Sequence, residues 1–216
     1  MAKKKITSEL LIEQYIDALL VHPEQLHSIY KFTRALSIEE GVFYEHFSSF
    51  EDLESTVFVQ LFEATLATLH DTEGYEQFDS RNKLLSFYYT LFENFKLNRS
   101  AIVALLDGSP SEFMGSQKKL KEFKKLFKRF IETLDFKSNT LDIDQINKLE
   151  NFGITNTAWI HFMTLMKYWL EDTSKNFEQT DVLIEKSVNT GLDIVESNTL
   201  GKILDLGKFI LKDKLS

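Results

Sequence analysis

The stretch SIEEGVFYEHF (37–47) sets two hydrogen-bonding rings, Tyr44 and His46, beside Glu39, Glu40 and Val42. Three lysines, Lys3, Lys4 and Lys5, stand near the start of the chain. Lys and Tyr donate to phosphate oxygens, a Glu carboxylate accepts from cytosine N4, and an aliphatic side chain meets the thymine methyl. These residue types suit contact with double-stranded DNA. Against them stand six carboxylates between residues 37 and 54, a stretch with no Lys or Arg. Over residues 1–53 five basic side chains face nine acidic ones, 5 − 9 = −4. The counterion release that drives non-specific binding to a polyanion is correspondingly weak.

A second group has the spacing of one helix face: Trp159, Phe162, Met163 and Met166, with His161 among them. With Phe92, Phe95 and Phe127 they either pack as a simple core or line a pocket for a small apolar or amphipathic ligand, His161 then being its polar group. A third group is basic. QKKLKEFKKLFKRF (117–130) holds seven Lys or Arg and one Glu, with Leu120, Phe123, Phe127 and Phe130 on the opposite face. Such a helix reads as a solvated surface or as a contact to an anionic lipid surface or an acidic partner.

Other chemistry is not signalled. Cysteine is absent, which excludes disulfides, thiolate metal sites and a Cys nucleophile. The five histidines have no metal-ligand spacing, no glycine-rich phosphate loop follows a strand, and Asp142 and Asp144 read as helix-start residues. No catalytic residue, metal site or cofactor is assigned.

The elements that must position these groups are helical. The chain has 216 residues, 43% of them apolar, a formal charge of −8, and only two prolines and eight glycines. Apolar residues recur at helical period almost throughout, which predicts an all-α fold. Helices are expected at about 7–20, 24–34, 38–45, 49–71, 79–97, 99–106, 112–134, 142–151, 155–172, 179–197 and 199–213. Turns are expected at DTEGYEQFDS (71–80) and DGSPS (107–111), and Ser49 with Asp52 forms a capping-box-like helix start. Apolar runs such as AIVALL (101–106) are far shorter than the roughly 20 residues of a membrane span. The basic N-terminus lacks an apolar h-region, so a cytoplasmic protein is expected.

LHSIYKFTRALSIEEGVFYEHFSSFEDL (26–53) resembles the DNA-binding domain of TetR-like (tetracycline-repressor-like) transcriptional regulators. The resemblance rests on Ile29, Phe32, Ser37, Ile38, Gly41, Phe43, Tyr44, His46, Phe47, Ser49, Glu51 and Leu53. It implies a helix-turn-helix in which Ile29, Phe32, Ile38, Phe43 and Phe47 hold two helices together. That the DNA-suited residues of 37–47 and the Lys3–Lys5 arm are placed as candidate DNA contacts is likewise what the resemblance implies. The chain departs from the family where Ser37 replaces a turn glycine, where Glu40 replaces a basic residue, and where Phe50 stands near a lysine position. WIHFMTLMKYWLEDTSKNFEQTDVLIEKSVNTGLDIV (159–195) resembles the C-terminal ligand-sensing and dimerisation region of a subgroup of the same family. The resemblance implies a three-helix DNA-binding-like domain at 1–48 and a larger helical ligand-binding and dimerisation domain at 49–216. It also implies a C2 homodimer, with Trp169, Val182, Ile184, Val188 and Leu192 as candidate interface residues, each of which reads equally well as ordinary core. Two functions follow: a ligand-responsive transcriptional regulator, or a ligand- or lipid-binding protein of the same fold that has lost DNA binding.

Overall fold

The computed structural model describes residues 5–106, 118–136 and 144–196, with the backbone alone at 144–152 and 195–196. Among the described residues the regular elements are all helical: α1 (Ser8–Val21), α2 (Ile29–Ala35), α3 (Glu40–Tyr44), α4 (Phe50–His70), α5 (Ser80–Leu97), α6 (Arg99–Leu105), α7 (Lys121–Thr133), α8 (Asp144–Glu171) and α9 (Glu178–Glu196). Short 3₁₀ turns occupy Pro23–His27, Tyr75–Gln77 and Lys175–Phe177. No helix among the described residues is long and apolar enough to cross a membrane.

Side-chain caps mark several of the helix starts. The Thr7 hydroxyl accepts from the Leu10 amide at α1, and the Ser49 hydroxyl accepts from the Asp52 amide at α4. Asp52 reaches back to the amide and hydroxyl of Ser48, a reciprocal cap displaced by one residue from the usual box. The single helix expected at 24–34 is in fact two pieces. Ser28 is extended (φ −161°, ψ 154°), and its hydroxyl accepts from the Lys31 amide, so α2 starts afresh after a 3₁₀ turn that begins at Pro23. The helices expected at 142–151 and 155–172 are one continuous helix, α8. Gly153 lies inside it with open space where a Cβ would stand, and the roughly 1 kcal/mol penalty of an interior glycine does not break a 28-residue helix. The DGSPS turn, the first part of the helix expected at 112–134 and the helix expected at 199–213 lie outside the described residues.

The chain forms two compact units, Met1–Leu66 with Leu91–Leu126, and Ala67–Thr90 with Phe127–Ser216. The dividing points fall within α4, α5 and α7. In the first unit an aromatic cluster joins α1 to α4: Phe50 packs on Tyr15, Phe32 and Phe43 with ring centroids 5.1, 5.7 and 5.6 Å apart. Phe32 and Phe43 are fully buried. In the second unit Phe87 stacks on Phe130 at 4.5 Å, and Phe127, Trp159 and Phe162 pack on one another at 5.3–6.1 Å. Fully burying a Phe contributes about 1.5–3 kcal/mol, so the buried rings of these clusters stabilise each unit alongside its buried aliphatic side chains.

Candidate functional site

Helices α2 and α3 and the four residues between them form a helix-turn-helix whose turn can be read atom by atom. The Ile38 amide donates to the Thr33 carbonyl at 3.0 Å, and the Ser37 amide donates to the Arg34 carbonyl at 3.1 Å. Ser37 itself is left-handed, with φ 56°. This is a Schellman closure of α2, and Ser37 occupies the position that glycine usually fills, which accounts for the family's glycine there. The turn aims α3 so that Phe43 and Phe47 are buried while Glu39, Tyr44 and Glu45 are exposed and Glu40, Val42 and His46 are half-buried.

The exposed side of α3 therefore carries the expected groups. Tyr44 is 52% exposed, with its hydroxyl 3.3 Å from Glu40 Oε1. The site's electrostatics are acidic, and Phe50 shows one reason. Near the position where the resembled family has a lysine, this chain places a half-buried ring that packs on Tyr15 of α1, Phe32 of α2 and Phe43 of α3. Of the lysine arm, Lys5 is exposed, and Lys3 and Lys4 lie outside the described residues.

The ligand candidates fall in two places. Phe92 and Phe95 are buried in the first unit, 5.5 Å apart. Phe127, Trp159, Phe162 and Met166 are buried in the second, and Met163 is half-buried there. Beside this second group lies a row of polar groups that the sequence marked only at His161. The Ser187 hydroxyl donates to the Leu183 carbonyl at 2.6 Å, so its oxygen accepts from His161 Nε2, 2.7 Å away. That fixes Nδ1 as the acceptor for the Tyr88 hydroxyl at 3.2 Å. Burial pushes the Tyr88 hydroxyl's pKa far up and holds the His161 ring down to about 4, so both are neutral near pH 7. Tyr88 and Ser187 were missed because they lie 73 and 26 residues from His161. The only signal for Ser187 was the inward face of α9, where Ile184, Ser187 and Val188 share one side, and Tyr88 on α5 had none.

Elsewhere in the second unit, a cavity of about 310 Å³ opens beside the C-terminal end of α7, lined by Ile131, Glu132, Leu134, Asp135, Ile154 and Thr155 among others. None of the ligand candidates lines it. Among the described residues no group of three or more His, Asp or Glu side chains is placed to hold a metal ion.

Of the interface candidates, Trp169, Ile184, Val188 and Leu192 are buried within the protomer, and Val182 is 46% exposed. Ile160 on α8 and Ile194 on α9 are also exposed, at 64% and 43%. Asp172 organises the connection between these helices. Its carboxylate accepts from the Ser174 amide and from both the amide and hydroxyl of Thr180. The basic helix α7 buries Phe123, Phe127, Phe130 and Ile131 and exposes Lys121, Lys125 and Arg129, with Lys118 exposed just before it.

A family model described as "Tetracyclin repressor-like, C-terminal domain" matches residues 83–210, 128 of the 216 positions. No curated protein matches the chain.

Proposed function

The chain belongs to the tetracyclin repressor-like family, and from that premise we propose that it is a one-component transcriptional regulator working as a C2 homodimer. Residues 1–48 are the DNA-reading part, and residues 49–216 bind a small apolar or amphipathic ligand and dimerise. The observation that carries the DNA reading is the division of labour on α3: Phe43 and Phe47 do the packing, and Glu39, Tyr44 and Glu45 are left facing outward. Tyr44, His46 and the Lys3–Lys5 arm supply donors to phosphate, while Glu39, Glu40 and Val42 face base edges. Ligand binding at Phe127, Trp159, Phe162, Met163 and Met166 uses the neutral Tyr88–His161–Ser187 row as its polar element, which favours an uncharged ligand over an anion. Phe92 and Phe95, packed on each other in the first unit, are ligand candidates apart from this set. The ligand acts by differential affinity for two dimer conformations.

Dimerisation is proposed through α8 and α9. Because Trp169, Ile184, Val188 and Leu192 serve the protomer's own core, Val182 is the interface candidate left outward, joined by Ile160 and Ile194. Sedimentation of the Ile160→Glu, Val182→Glu double variant should show a monomer where the parent protein is a dimer.

A second reading is favoured by one specific observation, the acidity of the recognition surface. In it the chain binds a ligand or lipid and does not read DNA. The cationic stripe Lys118, Lys121, Lys125 and Arg129 then meets an anionic lipid surface by charge alone, since the apolar face of α7 is buried. Fluorescence anisotropy on random duplex and on DNA upstream of the gene, across a salt series, separates the two. A negative salt slope with preference for the upstream sequence supports the regulator. Absence of even weak association of roughly 10⁻⁴–10⁻⁶ M at low salt supports the second reading.

A further inference from the structure

Glu54 carries a charge into the interior of the first unit. It lies one turn inside α4 and is only 8% exposed. One carboxylate oxygen accepts from the Tyr15 hydroxyl of α1 at 2.6 Å, and the other lies 3.2 Å from Lys119 Nζ. Lys119 also donates to the Leu105 carbonyl, at the C-terminal end of α6, at 2.8 Å. All four residues belong to one compact unit. A carboxylate taken out of water is tolerated only when paired and hydrogen-bonded, and a lysine at a helix C-terminus satisfies carbonyls that the helix leaves open. One buried ion pair thus ties together the first helix of the helix-turn-helix domain, its long supporting helix, the end of α6 and the chain entering α7.

We propose that Lys119 is a positioning residue for the helix-turn-helix: through Glu54 and Tyr15 it clamps α1 and α4 to the end of α6, so that displacement of the α6–α7 region is transmitted to α1. The tether is polar and directional, with a fixed donor and acceptor at each contact. Removing the lysine leaves Glu54 buried without its cation. The carboxylate then turns toward water and takes its hydrogen bond from Tyr15 with it. The clamp itself rests on the geometry alone, whereas its consequence for operator affinity rests on the proposed regulator function.

Hydrogen exchange on the full-length protein tests the clamp without any ligand or DNA. In Lys119→Met the amides of α1 around Tyr15 and those of the last turn of α6 should exchange at least about tenfold faster than in the parent, with α8 and α9 unchanged. Lys119→Arg should restore parental rates in both helices, because it keeps the charge and its donors. Tyr15→Phe should loosen α1 and leave α6 as it was. Acceleration confined to the neighbourhood of residue 119, equal acceleration throughout the chain, or failure of the arginine variant to restore protection would each overturn the proposal. Anisotropy on the same variants adds a separate readout. If the clamp is seen by exchange and no variant or parent binds DNA, the clamp stands and the regulator reading fails.

Discussion

The Ile38 amide closes on the Thr33 carbonyl at 3.0 Å across Ser37, a left-handed residue that is not glycine. The left-handed region costs an L-residue with a Cβ about 1–2 kcal/mol, and a glycine recovers this less its extra freedom in the unfolded chain. Ser37→Gly should therefore stabilise the protein by about 0.5–1 kcal/mol, seen as a higher urea midpoint at unchanged slope. A lower midpoint would mean that the Ser37 side chain contributes more than its backbone strain removes.

Reversing charge on the outer side of α3 should reveal how much the acids suppress DNA affinity. Glu39 is exposed and makes no side-chain cap hydrogen bond to α3, so Glu39→Lys should leave the melting temperature nearly unchanged. Binding to random duplex should tighten, and the slope of log affinity against log salt should steepen by about one phosphate contact per protomer. An unaltered slope would place residue 39 away from the DNA backbone.

His161 makes stability pH-dependent in a defined window. Its ring has a pKa near 6.5 when unfolded and is held to about 4 in the fold by burial. Between those values the unfolded chain binds a proton that the native chain refuses, so stability falls as pH drops from about 6.5 toward 4 and is flat above. The loss amounts to up to about 3 kcal/mol. His161→Gln has no proton to take up and should lack this component. Melting temperatures of both proteins from pH 8 to pH 4 measure the difference, and parallel curves would refute the assignment.

Asp172 holds the start of α9. Asp172→Ala leaves the buried Thr180 amide and hydroxyl without their acceptor and should cost about 2 kcal/mol. Asp172→Asn keeps one acceptor oxygen and should lose less. Denaturant titration of both variants checks the order, and equal losses would show that the charge, not the hydrogen bonds, matters.

The helix-turn-helix was legible in the sequence because its signal is local: the resemblance rests on residues within the short stretch 26–53, Phe32, Phe43 and Phe47 among them, and the Ser49–Asp52 cap lies within four residues. The family membership was legible at residues 159–195, which lie within the matched stretch 83–210. What escaped was set by distance. Nothing near Glu54 announces that its cation is residue 119, and nothing near His161 announces Tyr88 or Ser187. Phe50 looked like a lost phosphate contact, and only the fold shows it at the centre of an aromatic cluster. The continuity of α8 escaped for a different reason. Gly153 is a local breaker by propensity, and its cost of roughly 1 kcal/mol does not interrupt a helix of this length.

The first compact unit joins residues 1–66 to residues 91–126, and this has a consequence for synthesis on the ribosome. The aromatic rings of α1 to α4 can collapse as soon as residue 66 has emerged, but the partner that Glu54 requires arrives 119 − 54 = 65 residues after it. At roughly 5–20 residues per second, the 126 − 66 = 60 residues needed to finish the unit take about 3–12 s to make. During that interval Glu54 lacks its cation and its carboxylate stays turned toward water, so α1 and α4 are joined by their aromatic rings, without this ion pair, until translation delivers residue 119.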